Sequence, residues 1–412
     1  MAAASSSFSR RLGAAVRELG MKGAAEGWYG AHMAAAERAI LERAPLVDLV
    51  LEVRDARIPA TSAFESLGRW SGSNKHMIAL NKVDLADASS TEKWVKHIGK
   101  QNCVCRGVNA HNKGSIKELL STVRSRIKEL KGGESSYTAT VMLVGIPNVG
   151  KSAIANSMHQ IGRIGAMEKG KLKHAMVSPL PGETRDISSY KLKSTLSSTN
   201  ATVWYSKSVS FQIASHPNIY VLDTPGILSP KIANDDFGSK LALTGAIKDS
   251  LLGEYKLSQY FLSLLNSSEE HKHWGNLKYS TDEKIPLGTK DEQRRRRRYP
   301  SDHTQDFIVK DVRRTLFMTI SSFKGSLEKG KEMEKLVESQ FMALHEAFRV
   351  SYESTEDRNK AVGAKLLNLY RTGRVGRYTL DAFPELWRSS PDQFGKMTRP
   401  MKRQIPQPIA IV

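Results

Sequence analysis

Cysteine is scarce: Cys103 and Cys105 are the only two in 412 residues. That is too few for a disulfide framework or a four-ligand zinc site, so they read as ordinary thiols in a reducing compartment. Long apolar runs are missing as well. No stretch of 18 or more apolar residues occurs, and no membrane span is expected. Acid is the minority charge, with 42 Asp and Glu against 62 Lys and Arg, a formal excess of +20. Such an excess favours a polyanionic partner, nucleic acid or ribonucleoprotein, because each neutralised phosphate releases counterions. A solvated basic surface is the alternative. Internal repeats are absent too. What remains, 40% hydrophobic and 25% charged residues, is the composition of a globular chain of two or three domains.

The N-terminal stretch MAAASSSFSRRLGAAVRELGMKG carries Arg10, Arg11, Arg17 and Lys22 against Glu18 alone. It lacks the apolar centre of a secretory signal and reads as an organellar transit peptide over residues 1–25. The arginine spacing favours mitochondria, and hence the matrix, over plastids. A basic arm is the other reading.

From Pro45 onward, strand-like and helix-like stretches alternate, which predicts an α/β domain over 26–245. LVDLVLEVRDA, HMIALNKVDLA, NCVCRGVNA, TATVMLVG and PNIYVLDTPGIL read as strands. STEKWVKHIGKQ, SIKELLSTVRSRIKELK and KSAIANSMHQ read as helices. Residues 246–305, with the run Arg294–Arg298, are expected to be a connecting linker. A small all-α domain over 306–385 and a basic tail over 386–412 complete the order.

GIPNVGKS (Gly145–Ser152) fits the phosphate-loop pattern in its required setting of strand, loop and helix. Backbone amides from Asn148 through Ala153, Val149 and Gly150 included, would wrap the phosphates. Lys151 would neutralise the β and γ phosphates and Ser152 would hold Mg²⁺. DTPG (Asp223–Gly226) supplies the second metal-side element: Asp223 through water, the Gly226 amide toward the γ-phosphate. Thr184 in PGETRD is the expected switch threonine. NKVD (Asn81–Asp84) selects guanine, since Asp84 can accept from both N1–H and the 2-amino group while adenine would leave it unpaired. Lys82 would pack over the base. In GVNAHN, Asn109 and Ala110 form the remaining base loop, with the Ala110 amide near the guanine oxygen.

The base loops precede the phosphate loops, the reverse of the usual order. A domain whose termini lie close together tolerates such permutation. The fold expected is therefore a circularly permuted P-loop GTPase domain of α/β class followed by a small all-α domain.

That order, with Asp55-Ala56-Arg57, NKVD, GIPNVGKS, DTPG and the distal YRTGRVGRYTLD (Tyr370–Asp381), resembles the circularly permuted DAR-motif GTPases that assist large-ribosomal-subunit assembly. The branch it is most similar to is the mitochondrial ribosome-associated GTPase 1 group. The resemblance implies GTP hydrolysis with Mg²⁺ and often K⁺, and stimulation by the large ribosomal subunit and its rRNA; a monomer is expected. Ile227 stands where other GTPases keep a water-orienting glutamine. The family places a catalytic histidine in a Gly-His-Met motif, matched here by His32 of WYGAHM; an ordinary surface histidine is the alternative. Asn148 matches the asparagine that ligates K⁺ in relatives, or is a solvent-facing loop residue. Arg371, Arg374 and Arg377 are candidate RNA contacts. The segment between Thr184 and Asp223 is longer than the family implies, and an insertion is expected near 192–212.

Overall fold

The computed structural model describes residues 2–21, 31–67, 74–101, 103–133, 137–164, 210–215, 218–228, 235–276, 307–350 and 354–383. Its first half alternates strand and helix. Helices α1 (Ala2–Met21) and α2 (Ala31–Arg43) precede β1 (Leu49–Asp55) and β2 (His76–Asn81). Then come α3 (Ala88–Gly99), β3 (Val104–Val108), α4 (Lys113–Leu130), β4 (Thr138–Val144) and α5 (Lys151–Ile164). A hairpin of β5 (Ser210–Ser215) and β6 (Asn218–Leu222) follows. The rest is helical: α6 (Asp235–Leu243), α7 (Asp249–Leu252), α8 (Glu254–Ser267), α9 (Phe307–Ser322), α10 (Gly330–Ala347) and α11 (Thr355–Arg371).

The six strands form one sheet in the order β3-β2-β1-β4-β6-β5, parallel except for β5. Strand β4 lies at the centre, paired with β1 on one side and β6 on the other. This placement accommodates the permuted order. The base-loop strands lie on one flank of β4 and the switch strands on the other. Parallel strands covered on both faces read as continuous apolar runs, as β2 and β4 do. Short polar side chains start the crossover helices. Asp87 caps α3 by accepting from the Ser90 amide at 2.6 Å, and Asn112 caps α4 by accepting from the Ser115 amide at 3.0 Å.

Glu52 and His76 interrupt the apolar pattern of β1 and β2, both fully buried. Glu52 accepts from Arg54 at 2.7 and 3.0 Å and from the Phe64 amide, and contacts His76 Nε2 at 2.9 Å. Burial alone would raise the Glu52 pKa, but Arg54 and His76 outweigh it and bring it to about 2. Burial would likewise lower that of His76; hydrogen bonds to Cys103 and Glu52 with the Glu52 charge raise it to about 9. Cys103 and Cys105 are free, as expected.

Three boundaries differ from expectation. Residues 249–276 are not linker: α7, α8 and a 3-10 turn build the core of the helical region, where Leu257, Tyr260, Phe261, Leu262 and Leu265 of α8 are buried against α11 and its neighbours. The apolar spacing that marks α8 was hidden by its serines, whose hydroxyls donate back to their own helix, Ser258 to Glu254 O and Ser263 to Tyr260 O. Ser210–Gln212, placed at the end of the insertion, belong to β5; the rest of it, 192–209, lies outside the described residues.

Over residues 1–25, α1 packs on α6, α8 and α10, with Phe8, Leu12 and Val16 buried in the main core. Its apolar face is thus part of the fold. Arg294–Arg298 and the tail from 384 onward lie outside the described residues.

Candidate guanine nucleotide site

Parallel α/β sheets bind ligands beyond the carboxyl ends of their strands. Here β2, β3, β4 and β6 all end in residues singled out from the sequence: Asn81, the loop Asn109-Ala110, Gly145–Gly150 and Asp223. The phosphate loop turns tightly enough that Gly150 adopts φ +95°, and a Cβ there would lie 2.3 Å from Asn81 Nδ2. Asp223-Thr224-Pro225-Gly226 comes equally close. A Cβ on Gly226 would lie 2.5 Å from Pro147 Cα, and Ile227 N donates to Gly145 O at 3.4 Å.

Asn81 braces the site. Its Nδ2 donates to Val149 O at 2.8 Å, and its Oδ1 accepts from Ala110 N at 3.1 Å. One buried amide thus fixes the phosphate loop against both base loops. The Ala110 amide was expected to face the guanine oxygen. In this structure the buried N–H finds its acceptor in Asn81. Ser157 of α5, not singled out from the sequence, holds the same loop by donating to Ala110 O at 2.8 Å. Asn109 Oδ1 accepts from the His111 amide at 2.9 Å. Asp84 is half-buried in the turn after β2. Lys82 has φ +64°; its Nζ donates to Asn148 O and pairs with Asp55 Oδ2 at 3.0 Å. Burial lowers its pKa despite Asp55.

At the phosphate end, Lys151 Nζ is buried and donates to Gly145 O and Ile146 O at 3.0 and 2.9 Å. Burial presses its pKa down to about 8, with only Asp223 opposing. A cation held this way gains from an incoming polyphosphate. Val149 is buried, and Ala153 is half-buried in the first turn of α5, whose amides face the loop. Ser152 Oγ donates to Asp223 Oδ2 at 2.7 Å, while Asp223 Oδ1 is buried with no hydrogen-bond partner. Burial raises the Asp223 pKa against the pull of Ser152 and Lys151. A carboxylate and a hydroxyl short of positive charge suit a hard, oxygen-liganded cation such as Mg²⁺. Among the described residues no cluster of three His, Cys, Asp or Glu forms a separate metal site.

Comparison with known proteins agrees with this geometry. The family model described as "50S ribosome-binding GTPase" matches residues 140–271. DAR GTPase 2, mitochondrial, of Arabidopsis thaliana is 49% identical over 367 residues, 88% of this chain and 92% of that protein. Short integuments 2, mitochondrial, of the same plant is 40% identical over 87% of this chain and 89% of its own. Mitochondrial ribosome-associated GTPase 1 of Bos taurus is 31% identical over 58% and 65%. The chain belongs to the DAR-motif GTPases.

In this DAR GTPase the remaining expected residues are distributed unevenly. Ile227 is buried among Val50, Phe64, Met142 and Val144, so no polar side chain follows DTPG. His32 lies in the first turn of α2, its side chain outside the described residues; Thr184 lies outside them altogether. Asn148, at φ +60°, donates through Nδ2 to Gly245 O at 2.7 Å.

Arg371, a candidate RNA contact, is engaged within the protein. It donates to Leu243 O and Ala242 O, each at 3.1 Å, and grips Asp249 at 2.6 and 2.8 Å. Carbonyls at a helix end attract a guanidinium, and sequence alone does not reveal that α6 ends beside α11. Arg374 is half-buried, its carbonyl accepting from Arg313 Nε of α9 at 2.8 Å; Arg377 is exposed. Sequence reasoning also gave the Asp55 and Arg57 side chains no task. An acid and a base two residues apart at a strand end was the available signal.

Proposed function

We propose that this GTPase acts in assembly of the mitochondrial large ribosomal subunit, with the bound nucleotide setting how its helical region docks on rRNA. The observation that carries this reading is the Asn148 Nδ2 bond to Gly245 O at 2.7 Å. It joins the phosphate loop to the turn that follows α6, the first helix of that region. Chain order supports the same link, since DTPG leads into α6 through eight residues, 227–234. The names of the relatives, mitochondrial in each case and ribosome-associated in one, and the +20 charge support the compartment and the partner. The basic N-terminal helix supports import to the matrix.

GTP would be held by Asn81, Lys82 and Asp84 at the base end and by residues 148–153 with Gly226 at the phosphates. Ser152, Asp223 and Thr184 would hold Mg²⁺, which supplies charge neutralisation on the phosphates when bound. Asn148 would also serve K⁺ in the GTP-bound state; equal rates in KCl and NaCl would refute that role. Arg377, exposed beyond α11, would contact rRNA together with Arg374, and the working unit is a monomer. His32 supplies the polar group that Ile227 lacks.

The test is GTP turnover in KCl with and without purified mitochondrial large subunits. Stimulation by the subunits is the expected result, lost on His32→Ala with GTP affinity kept. Unchanged turnover with GTP still bound would favour a second reading, a ribosome-docking module with little hydrolysis. The buried Ile227 is what favours that reading.

A further inference from the structure

The Asp-Ala-Arg motif lies beside the nucleotide loops and has no part in the contacts expected with GTP. Asp55 ends β1 in register with Asn81 of β2, and Ala56 N donates to Asn81 O at 2.8 Å. The Asp55 carboxylate is fully buried and receives four donors. Arg57 N and Nε bind Oδ1, each at 3.0 Å, and Oδ2 takes Arg57 Nη2 at 2.7 Å and Lys82 Nζ at 3.0 Å. Lys82 also reaches Asn148 O, so one carboxylate orients the cation that bridges the base loop to the phosphate loop.

Arg57 extends the same group outward. It is 1% exposed, its Nη2 reaches Thr244 O at 3.3 Å, and its guanidinium lies 5.6 Å from the centre of the Tyr370 ring of α11. Thr244 and Gly245 form the turn that leaves α6, and Gly245 O is the acceptor for Asn148. The loop's own backbone holds the end of the helical region. Arg57 O accepts from Leu380 N at 2.7 Å. Asp381 accepts from the amides of Ala60 and Thr61 at 2.8 Å and from Thr61 Oγ1 at 2.7 Å.

Stability alone does not explain the choice of residues. Arg57 Nη1 is buried without a hydrogen-bond partner. Replacing a buried ion pair by packed apolar groups is often neutral or stabilising, so an incompletely satisfied one suggests another task. We infer that Asp55 and Arg57 are positioning residues: they set Lys82 for nucleotide binding and fasten the α6 end and the 378–381 segment to the same loop. A nucleotide that tightens the phosphate loop thereby also tightens the attachment of the helical region. The inference rests on the proposed coupling of nucleotide to helical region, and it names the residues that carry the coupling.

The test uses the full chain, with Kd for fluorescent GDP and GTP analogues and hydrogen exchange with and without nucleotide. In the wild type, nucleotide should slow exchange at 242–246 and 378–381 as well as at 145–153. Arg57→Lys keeps the charge but loses the fork that spans Asp55 and Thr244. It should weaken nucleotide binding and abolish the slowing at 242–246. Asp381→Asn should lose the slowing at 380–381 and keep it at 242–246. If nucleotide binds the wild type and slows exchange only at 145–153, the inference fails while GTP binding stands. If no guanine nucleotide binds, both fail. Should Arg57→Lys not fold, the wild-type and Asp381→Asn exchange patterns still decide.

Discussion

The N-terminal helix gives a prediction whose sign depends on the tertiary structure. In an isolated helix, Gly13→Ala is favourable by about 1 kcal/mol, because Ala loses less backbone entropy than Gly. Here a Cβ on Gly13 would lie 2.2 Å from Asp235 Cα and 2.3 Å from Asp235 O at the start of α6. Backbone cannot swing aside as a long side chain can, so the helix would have to lift from α6. Overpacking of that kind costs about 1–3 kcal/mol, which outweighs the propensity gain. Leu12, 3% exposed on the docked face, should cost about 2–5 kcal/mol on truncation to Ala. Arg11 pairs with Glu334 at 2.7 Å, both exposed, and Arg11→Ala should cost under about 1 kcal/mol. Urea unfolding of the full chain, followed by circular dichroism, measures all three. A Gly13→Ala protein as stable as the wild type, or more so, together with a silent Leu12→Ala, would refute the docking. It would return residues 1–25 to the status of a leader with no part in the fold.

Three further outcomes are expected. Asn81→Ala strands the Val149 carbonyl and the Ala110 amide, both buried, at about 1–3 kcal/mol each; guanine nucleotide binding and unfolding midpoint should fall together, and a loss of binding with unchanged stability would refute the bracing role. The His76 pKa is raised to about 9 in the fold against 6.5 unfolded, so its contribution is complete below pH 6.5 and is lost as pH rises through 9. At about 1.4 kcal/mol per unit the fall amounts to roughly 3 kcal/mol, and His76→Gln should flatten it in urea melts across that window. Glu52, lowered to about 2, sets the acid side: its contribution is present above pH 4.5 and fades as pH falls toward 2.

Much of the nucleotide site was legible in the sequence because its chemistry is local. A phosphate loop needs glycines, a lysine and a hydroxyl within eight residues, and a strand and a helix on either side make the pattern specific. NKVD and DTPG are equally short. The alternation of strands and helices followed from apolar runs and helical spacing. Even the permuted order was readable, since it is only the order of those motifs.

What escaped depends on contacts between residues far apart in the chain. Nothing near Arg371 indicates that it caps α6, 128 residues earlier. The basic, alanine-rich start has the composition of a leader, and only the surface of α6, α8 and α10 makes Phe8, Leu12 and Val16 core residues. Serine-rich α8 resembled a linker until its hydroxyls found their own helix carbonyls. The sequence by itself determined the motifs, their order and the chemistry each can perform, because covalent neighbours place those groups. Tertiary structure alone decided which charges are spent inside the protein, since burial and partner, not residue type, determine whether an arginine is free to meet a phosphate.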